Sequence, residues 1–187
     1  SSGKIGYALA ESLTKRGANV TLVSGPTHLT PPENVNVIQI QSAEEMFEAV
    51  KTHFDEQDIV FKAAAVSDYA PAEMLEHKLK KQDGTLSVTF KRTPDILKYL
   101  GEHKTKQFLV GFAAETQNIE TYAQKKLQHK NADVIIANNV GDRSIGFSSD
   151  DNDYTMYFKN GNPMSLGKHK KVILAEHILD SLETRWE

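Results

Sequence analysis

The sequence predicts an α/β fold in three layers, an open and mostly parallel sheet with helices on both faces. Four stretches, residues 20–26, 58–69, 108–116 and 133–139, begin as short apolar runs and end in polar loop residues. Strands buried on both faces of a parallel sheet read in this way. Segments of helical periodicity lie between them, as crossover connections between parallel strands require. In such a sheet the ligand crevice lies outside the carboxyl ends of the strands, so the four loops are expected to converge on one site.

In chain order, Ser1-Ser2-Gly3-Lys4-Ile5-Gly6 leads into a helix over residues 7–16. There Leu9 and Leu13 share a face with Ile5 and Ala8, and Gly17 supplies the stop. A glycine-containing turn of this kind follows the first strand in a doubly wound fold. No strand precedes it here, so the first strand is expected to be missing. A strand at 19–24 comes next. Beyond Pro31-Pro32 lie an apolar segment at 35–40 and an amphipathic helix at 43–54 using Met46, Phe47 and Val50.

A strand at 59–64 then delivers the loop Ala63-Ala64-Ala65-Val66-Ser67-Asp68-Tyr69. Gln82-Asp83-Gly84-Thr85 signals a turn, and the alternation over 86–90 predicts a strand or flap, about 75–92, that projects from the core. Thr93 is expected to cap the next helix with Pro94 at its first position. A strand at 108–111, a helix at 119–129 capped by Thr116 or Asn118, and a strand at 134–137 follow. Asn160-Gly161 marks a hairpin over about 153–167, and an amphipathic helix covers 172–182.

With 187 residues, 39% of them hydrophobic, the chain suits one well-buried core, and 1–187 is read as a single nucleotide-binding domain. A net charge of −3 argues against a nucleic-acid backbone as main partner, because that affinity comes from many cationic phosphate contacts. Any anion site must be local. The absence of cysteine removes disulfides, a thiol nucleophile and thiolate metal ligands, and fits a reducing compartment. No apolar run approaches the roughly 18 residues of a membrane span, and the start lacks a signal-peptide pattern. A soluble, cytoplasmic protein is expected.

The chemistry concentrates in one excursion. Small residues at 63–65 let a ring or phosphate approach the backbone, Asp68 offers a carboxylate, and Lys78-Leu79-Lys80-Lys81 adds compact charges. The combination suits a nucleoside triphosphate with its metal. Plainer readings stand beside each part: Asp68 as a turn residue bonding its own backbone, the lysines as a solvated run, and Phe112 as ordinary core. Lys126 and Lys130, four apart on one helical face, read equally as surface charge. Ser1-Ser2-Gly3-Lys4 can offer N–H groups to phosphate at a helix N-terminus, although it fits neither glycine-rich fingerprint. The seven histidines show no metal-ligand spacing. Residues 141–144 and 148–152 read as turn-rich rims.

Together, Ser1-Ser2-Gly3-Lys4-Ile5-Gly6, Val20-Thr21-Leu22-Val23-Ser24-Gly25-Pro26, Ala64-Ala65-Val66-Ser67-Asp68-Tyr69, Lys78-Leu79-Lys80-Lys81, Thr93-Pro94-Asp95-Ile96-Leu97 and Gly111-Phe112-Ala113-Ala114-Glu115-Thr116 resemble the phosphopantothenoylcysteine synthetase family. The likeness extends through Ala137-Asn138-Asn139 and Gly146-Phe147-Ser148-Ser149-Asp150-Asp151-Asn152. It implies a Rossmann-like fold and a ligase of coenzyme A biosynthesis that consumes CTP with Mg2+. The carboxylate of 4′-phosphopantothenate would attack the α-phosphate to give an acyl-cytidylate and pyrophosphate, and the amine of L-cysteine would then displace CMP.

The resemblance also assigns roles. Lys78 would be the catalytic side chain, neutralising charge at phosphorus. Ser2, Gly3, Lys62, Ala63, Ala64, Asp68, Pro94, Asp95, Ile96, Leu97, Phe112, Lys126 and Lys130 would bind nucleotide, Ala65 would bind substrate, and Asp68 would contact the metal. It implies a homodimer, with residues 86–90 a contributor. An asparagine that the family carries ahead of the Ser-Ser-Gly-Lys motif is absent from this sequence.

Two other readings compete. Tyr122 and Lys126 stand at the Y-x-x-x-K spacing of NADP-dependent short-chain dehydrogenases, against which the opening lacks the fuller glycine pattern. A nucleotide-sensing module without turnover would share the same fold.

Overall fold

A helix starts where Gly3, at φ 78°, turns the chain through the left-handed region that only glycine enters freely. In the computed structural model, which describes residues 2–73, 85–115, 117–139 and 151–185, this helix is α1 (Lys4–Lys15), burying Ile5, Leu9 and Ala10. β1 (Thr21–Ser24) pairs in parallel with β2 (Asn36–Gln39). α2 (Ala43–His53) is capped by Ser42, whose hydroxyl accepts from the Glu45 N–H at 3.2 Å. β3 (Ile59–Lys62) ends at the small-residue loop, and β4 (Tyr69–Pro71) pairs antiparallel with β5 (Phe90–Arg92). Then come α3 (Ile96–His103), β6 (Phe108–Glu115), α4 (Ile119–His129), β7 (Val134–Asn139), β8 (Asp151–Phe158), β9 (Met164–Lys170) and α5 (Lys171–Leu182).

The main sheet has the order β3-β6-β7-β8-β9. β3, β6 and β7 run parallel, and the β8–β9 hairpin closes one side antiparallel. Helices cover both faces, so the core forms two layers. On one, Met46, Leu97, Leu100 and Leu127 pack against Leu109 and Ile135. On the other, Leu9, Leu174, Ile178 and Leu179 pack against Val110 and Ile136. This is the three-layer α/β architecture expected.

β1 and β2 share no ladder with the main sheet among the described residues. Between β1 and β3 lies a cavity of about 960 Å³, lined by Leu22, Val23, Phe61 and Ala63 and reached by Ile5 and Leu9 of α1. In a doubly wound strand order the first strand lies between the second and the fourth, which is the interval this cavity takes.

Three local expectations need correction. The cap of α3 is Asp95, whose carboxylate accepts from the Lys98 N–H at 3.0 Å, not Thr93. Pro94 therefore precedes the helix instead of opening it. Thr93 is engaged elsewhere: its hydroxyl donates to the Ser67 carbonyl and its N–H to the Asp68 carbonyl, continuing the β4–β5 ladder. The strand predicted at 108–111 runs on to Glu115, since β7 supplies partners along that length. Among the described residues of the predicted flap only its base at Phe90–Arg92 is strand, and the Thr89 carbonyl extends that pairing by accepting from the Ala72 N–H at 2.9 Å. Lys78, Lys80, Lys81, Thr116 and residues 140–150 lie outside the described residues.

Candidate functional site

β3 ends at Lys62, opposite Gly111, and β6 and β7 run on past it side by side, with Gly111 opposite Ile135 and Glu115 opposite Asn139. Because side chains alternate across a sheet, Lys62 falls on the face of Val60, covered by α2, α3 and α4, whereas Phe61, Ala63 and Phe112 face α1 and α5. Gly111 allows α3 to come close. A Cβ there would lie 2.7 Å from Leu97 Cδ2 and 2.8 Å from Ile135 Cδ1. With no side chain in the way, the first turn of α3 seats on the sheet and carries Asp95 toward the end of β3.

The charges gather at that point. The amine of Lys130, the C-cap of α4, pairs with the Asp95 carboxylate at 2.5 Å, and the Lys126 amine, one turn earlier, donates to the Phe112 carbonyl at 3.1 Å. Lys62 donates to the Ala64 carbonyl at 2.7 Å, curling over the end of its own strand. Burial, and then the charge of Lys126, pushes the Lys62 amine below the usual lysine range, opposed by Asp95 and Asp68. Partial burial of Asp95 disfavours its charge, yet hydrogen bonds from Lys130 and the Lys98 N–H hold the carboxyl below the usual aspartate range. The result is a cluster of three lysines and one ionised carboxylate beside the three alanines of the β3 loop. Such a cluster attracts anions.

The remaining site residues fall into distinct surroundings. Ser2 and Gly3 precede α1, where Ser2 Oγ accepts from the Lys4 N–H at 3.5 Å. Ala63, Ala64 and Ala65 follow β3, and Asp68 is exposed on the loop that Thr93 ties down. Pro94 and Asp95 form the entry to α3. Ile96 and Leu97 are core residues, 3% and 4% exposed, and turn little surface to a ligand. The Phe112 ring meets Tyr154 edge-on at 6.1 Å on the α1/α5 face, while its carbonyl belongs to the lysine cluster. Tyr122, of the dehydrogenase-like pair, is 52% exposed.

Sequence reasoning missed two supports of this arrangement. Gly111 is one, and a glycine inside a strand was the available signal. The other is the buried bond between the Tyr7 hydroxyl and Ser24 Oγ at 2.9 Å, which fixes α1 on the end of β1. Tyr154, pushed up to about 12 by burial, is a third group with no sequence signal. Among the described residues no three His, Asp or Glu side chains converge as a metal site.

The profile of the family described as DNA/pantothenate metabolism flavoprotein C-terminal domain matches residues 1–185. The coenzyme A biosynthesis bifunctional protein CoaBC of Bacillus subtilis (strain 168) is 49% identical over 183 residues, covering 97% of this chain and 45% of that protein. The chain thus spans about half the length of the curated relatives it matches. The crystal structure of the C-terminal domain of a CoaBC protein superposes with a TM-score of 0.82 at 45% identity, over 98% of this chain and 84% of that one. The DNA/pantothenate metabolism flavoprotein from Streptococcus pneumoniae has a TM-score of 0.81 at 22% identity, over 98% and 89% of the two chains, a likeness of fold alone.

Proposed function

We propose that this chain, which belongs to the DNA/pantothenate metabolism flavoprotein C-terminal domain family, is the ligase that activates 4′-phosphopantothenate with CTP and joins it to L-cysteine. The observation that carries the reading is the cluster of Lys62, Lys126 and Lys130 around Asp95, beside the Ala63-Ala64-Ala65 backbone. It occurs in a chain 49% identical to a protein named for coenzyme A biosynthesis.

A carboxylate becomes an electrophile only when one of its oxygens is made a good leaving group, which accounts for the nucleotide. The work left to the protein is positioning and charge neutralisation. Lys126 and Lys130 take phosphate oxygens. The backbone at Lys62, Ala63 and Ala64, with Ser2 and Gly3, allows close approach. Ala65 meets the phosphopantothenate. Pro94 and the Asp95–Leu97 backbone flank the base with Phe112, and Lys78 neutralises the charge that develops at the attacked phosphorus. Mg2+ is held through one or two carboxylates plus phosphate oxygens, so the exposed Asp68 fits a metal arriving with the nucleotide, where it would supply charge neutralisation.

The reading includes a cytoplasmic homodimer. No helix among the described residues is long and apolar enough to cross a membrane. Leu86, Val88 and Phe90 alternate along the chain at 68%, 50% and 58% exposure, an apolar row suited to a second copy. Phe90→Asp is expected to shift the mass by light scattering from dimer to monomer.

Pyrophosphate release on mixing the protein with CTP, Mg2+ and 4′-phosphopantothenate tests the central claim, with cysteine then consumed in step with CMP. Lys78→Gln should abolish most of that release. Stabilisation by NADP and not by CTP in a thermal melt would support the dehydrogenase reading instead.

A further inference from the structure

The Lys62 side chain adds charge to the cluster above but is assigned no contact with the nucleotide there, where only its backbone is used. It projects from the end of β3 on the α3/α4 face, between the two elements that carry the other charges of the cluster. Its amine donates to a backbone carbonyl, that of Ala64 in the loop after β3, at 2.7 Å, and the Lys126 amine donates to the Phe112 carbonyl on the neighbouring strand at 3.1 Å. A carbonyl is a weak partner for an ammonium compared with an anionic oxygen. The Lys62 amine is positioned to exchange one for the other.

We propose that the Lys62 ammonium is a further cationic ligand of the triphosphate, moving from the Ala64 carbonyl to a phosphate oxygen when the nucleotide binds. The inference rests on the nucleotide reading of this site and adds a binding residue to it. The charged groups facing the amine are Lys126 on α4, Lys130 at its C-cap, Asp95 at the cap of α3 and Asp68 on the loop after β3. Burial and the two lysines disfavour its proton in the free protein, and a bound polyanion restores it. Binding therefore takes up a proton in the alkaline range, and affinity falls as pH rises through the free amine's lowered pKa. A lysine that merely supported the loop would show no such coupling.

The test is calorimetry of inorganic triphosphate with Mg2+, run in buffers of different ionisation heat, on the wild type, Lys62→Met, Lys62→Arg and Lys106→Met. Lys106 is an exposed control at the opposite end of β6, paired with Asp58 at 2.9 Å. Lys62→Met is expected to bind about tenfold more weakly, the size of one charge-assisted contact, and to lose the proton uptake. Lys106→Met should match the wild type. Lys62→Arg should keep the affinity but take up no proton, because a guanidinium stays charged, and it decides the matter if Lys62→Met does not fold. In CTP turnover, KM should rise about tenfold in Lys62→Met with kcat within about twofold, the pattern of a contact equal in ground and transition states. Undiminished binding by Lys62→Met, or proton uptake that persists in Lys62→Arg, overturns the inference. Failure of the wild type to release pyrophosphate from CTP overturns the ligase reading and leaves the triphosphate result to judge Lys62.

Discussion

Asp95 joins two functions in one side chain, since it caps α3 and pairs with Lys130. Asp95→Ala removes both and is expected to lower stability by about 1 kcal/mol, the usual worth of a cap, read from the urea midpoint. Asp95→Asn keeps a cap and loses only the charge. Its folded carboxyl titrates below the ordinary aspartate value, so the charged form contributes stability that is present above the unfolded pKa and lost as pH falls through the folded one. The gap between wild type and Asp95→Asn should therefore be widest at neutral pH and close in acid, below about 3.9. A gap independent of pH would show that Lys130 does not favour the ionised form. This residue also marks a limit of sequence reading. Thr93-Pro94-Asp95 carries two acceptable caps, and the choice falls to Asp95 because a strand pair claims Thr93, a tertiary fact that no local pattern contains.

At the scale of elements, α3 is held between the sheet and the end of α4 by two glycines that differ in tolerance. A Cβ on Gly101 would stand 1.7 Å from the Lys130 carbonyl oxygen, which is backbone and cannot yield, whereas one on Gly111 meets the ends of the Leu97 and Ile135 side chains. Gly111→Ala should cost about 1–3 kcal/mol, the usual penalty for overpacking. Gly101→Ala should cost more, and should also move Lys130 away from Asp95. On Gly6 in α1 the nearest atom would be the Ala63 Cβ at 3.9 Å, so Gly6→Ala should be neutral or stabilising by up to about 1 kcal/mol from helix propensity. Denaturation of the three variants gives the order directly, and Gly101→Ala as the mildest would refute it. The helices and central strands were legible because their periodicity is long and strong: α2, α4 and α5 fall within a residue or so of the spans read from the sequence. β4 was not. It is a three-residue strand containing Pro71, exposed at Tyr69, and its existence depends on β5 some twenty residues away.

For the molecule as a whole, the division of the sheet matters most. β6 has a ladder on both sides and interior residues such as Leu109 and Val110 with no exposure, and β7 is likewise flanked on both sides, with Ile135 and Ile136 equally hidden. Among the described residues β1 has a ladder only with β2, and it faces β3 across a cavity of about 960 Å³. Local opening depends on how many bonds and apolar contacts must break together. The β3-β6-β7-β8-β9 sheet should therefore exchange its amide hydrogens only through near-global unfolding, while the β1–β2 pair opens separately at lower cost. Hydrogen exchange followed by mass spectrometry should find peptides spanning residues 108–113 and 134–137 protected far longer than one spanning 21–24. Equal protection would mean that side-chain packing across the interval, through α1 and the Tyr7–Ser24 bond, couples the two pieces as tightly as a ladder would. The lysine cluster lies on the protected side. Lys62 issues from β3, and Lys126 and Lys130 from α4 and its C-cap, the helix packing on β6 and β7. Triphosphate binding should accordingly slow exchange in the loop at residues 63–68 more than in β1, and a ligand that protected β1 first would place the anion in the cavity instead.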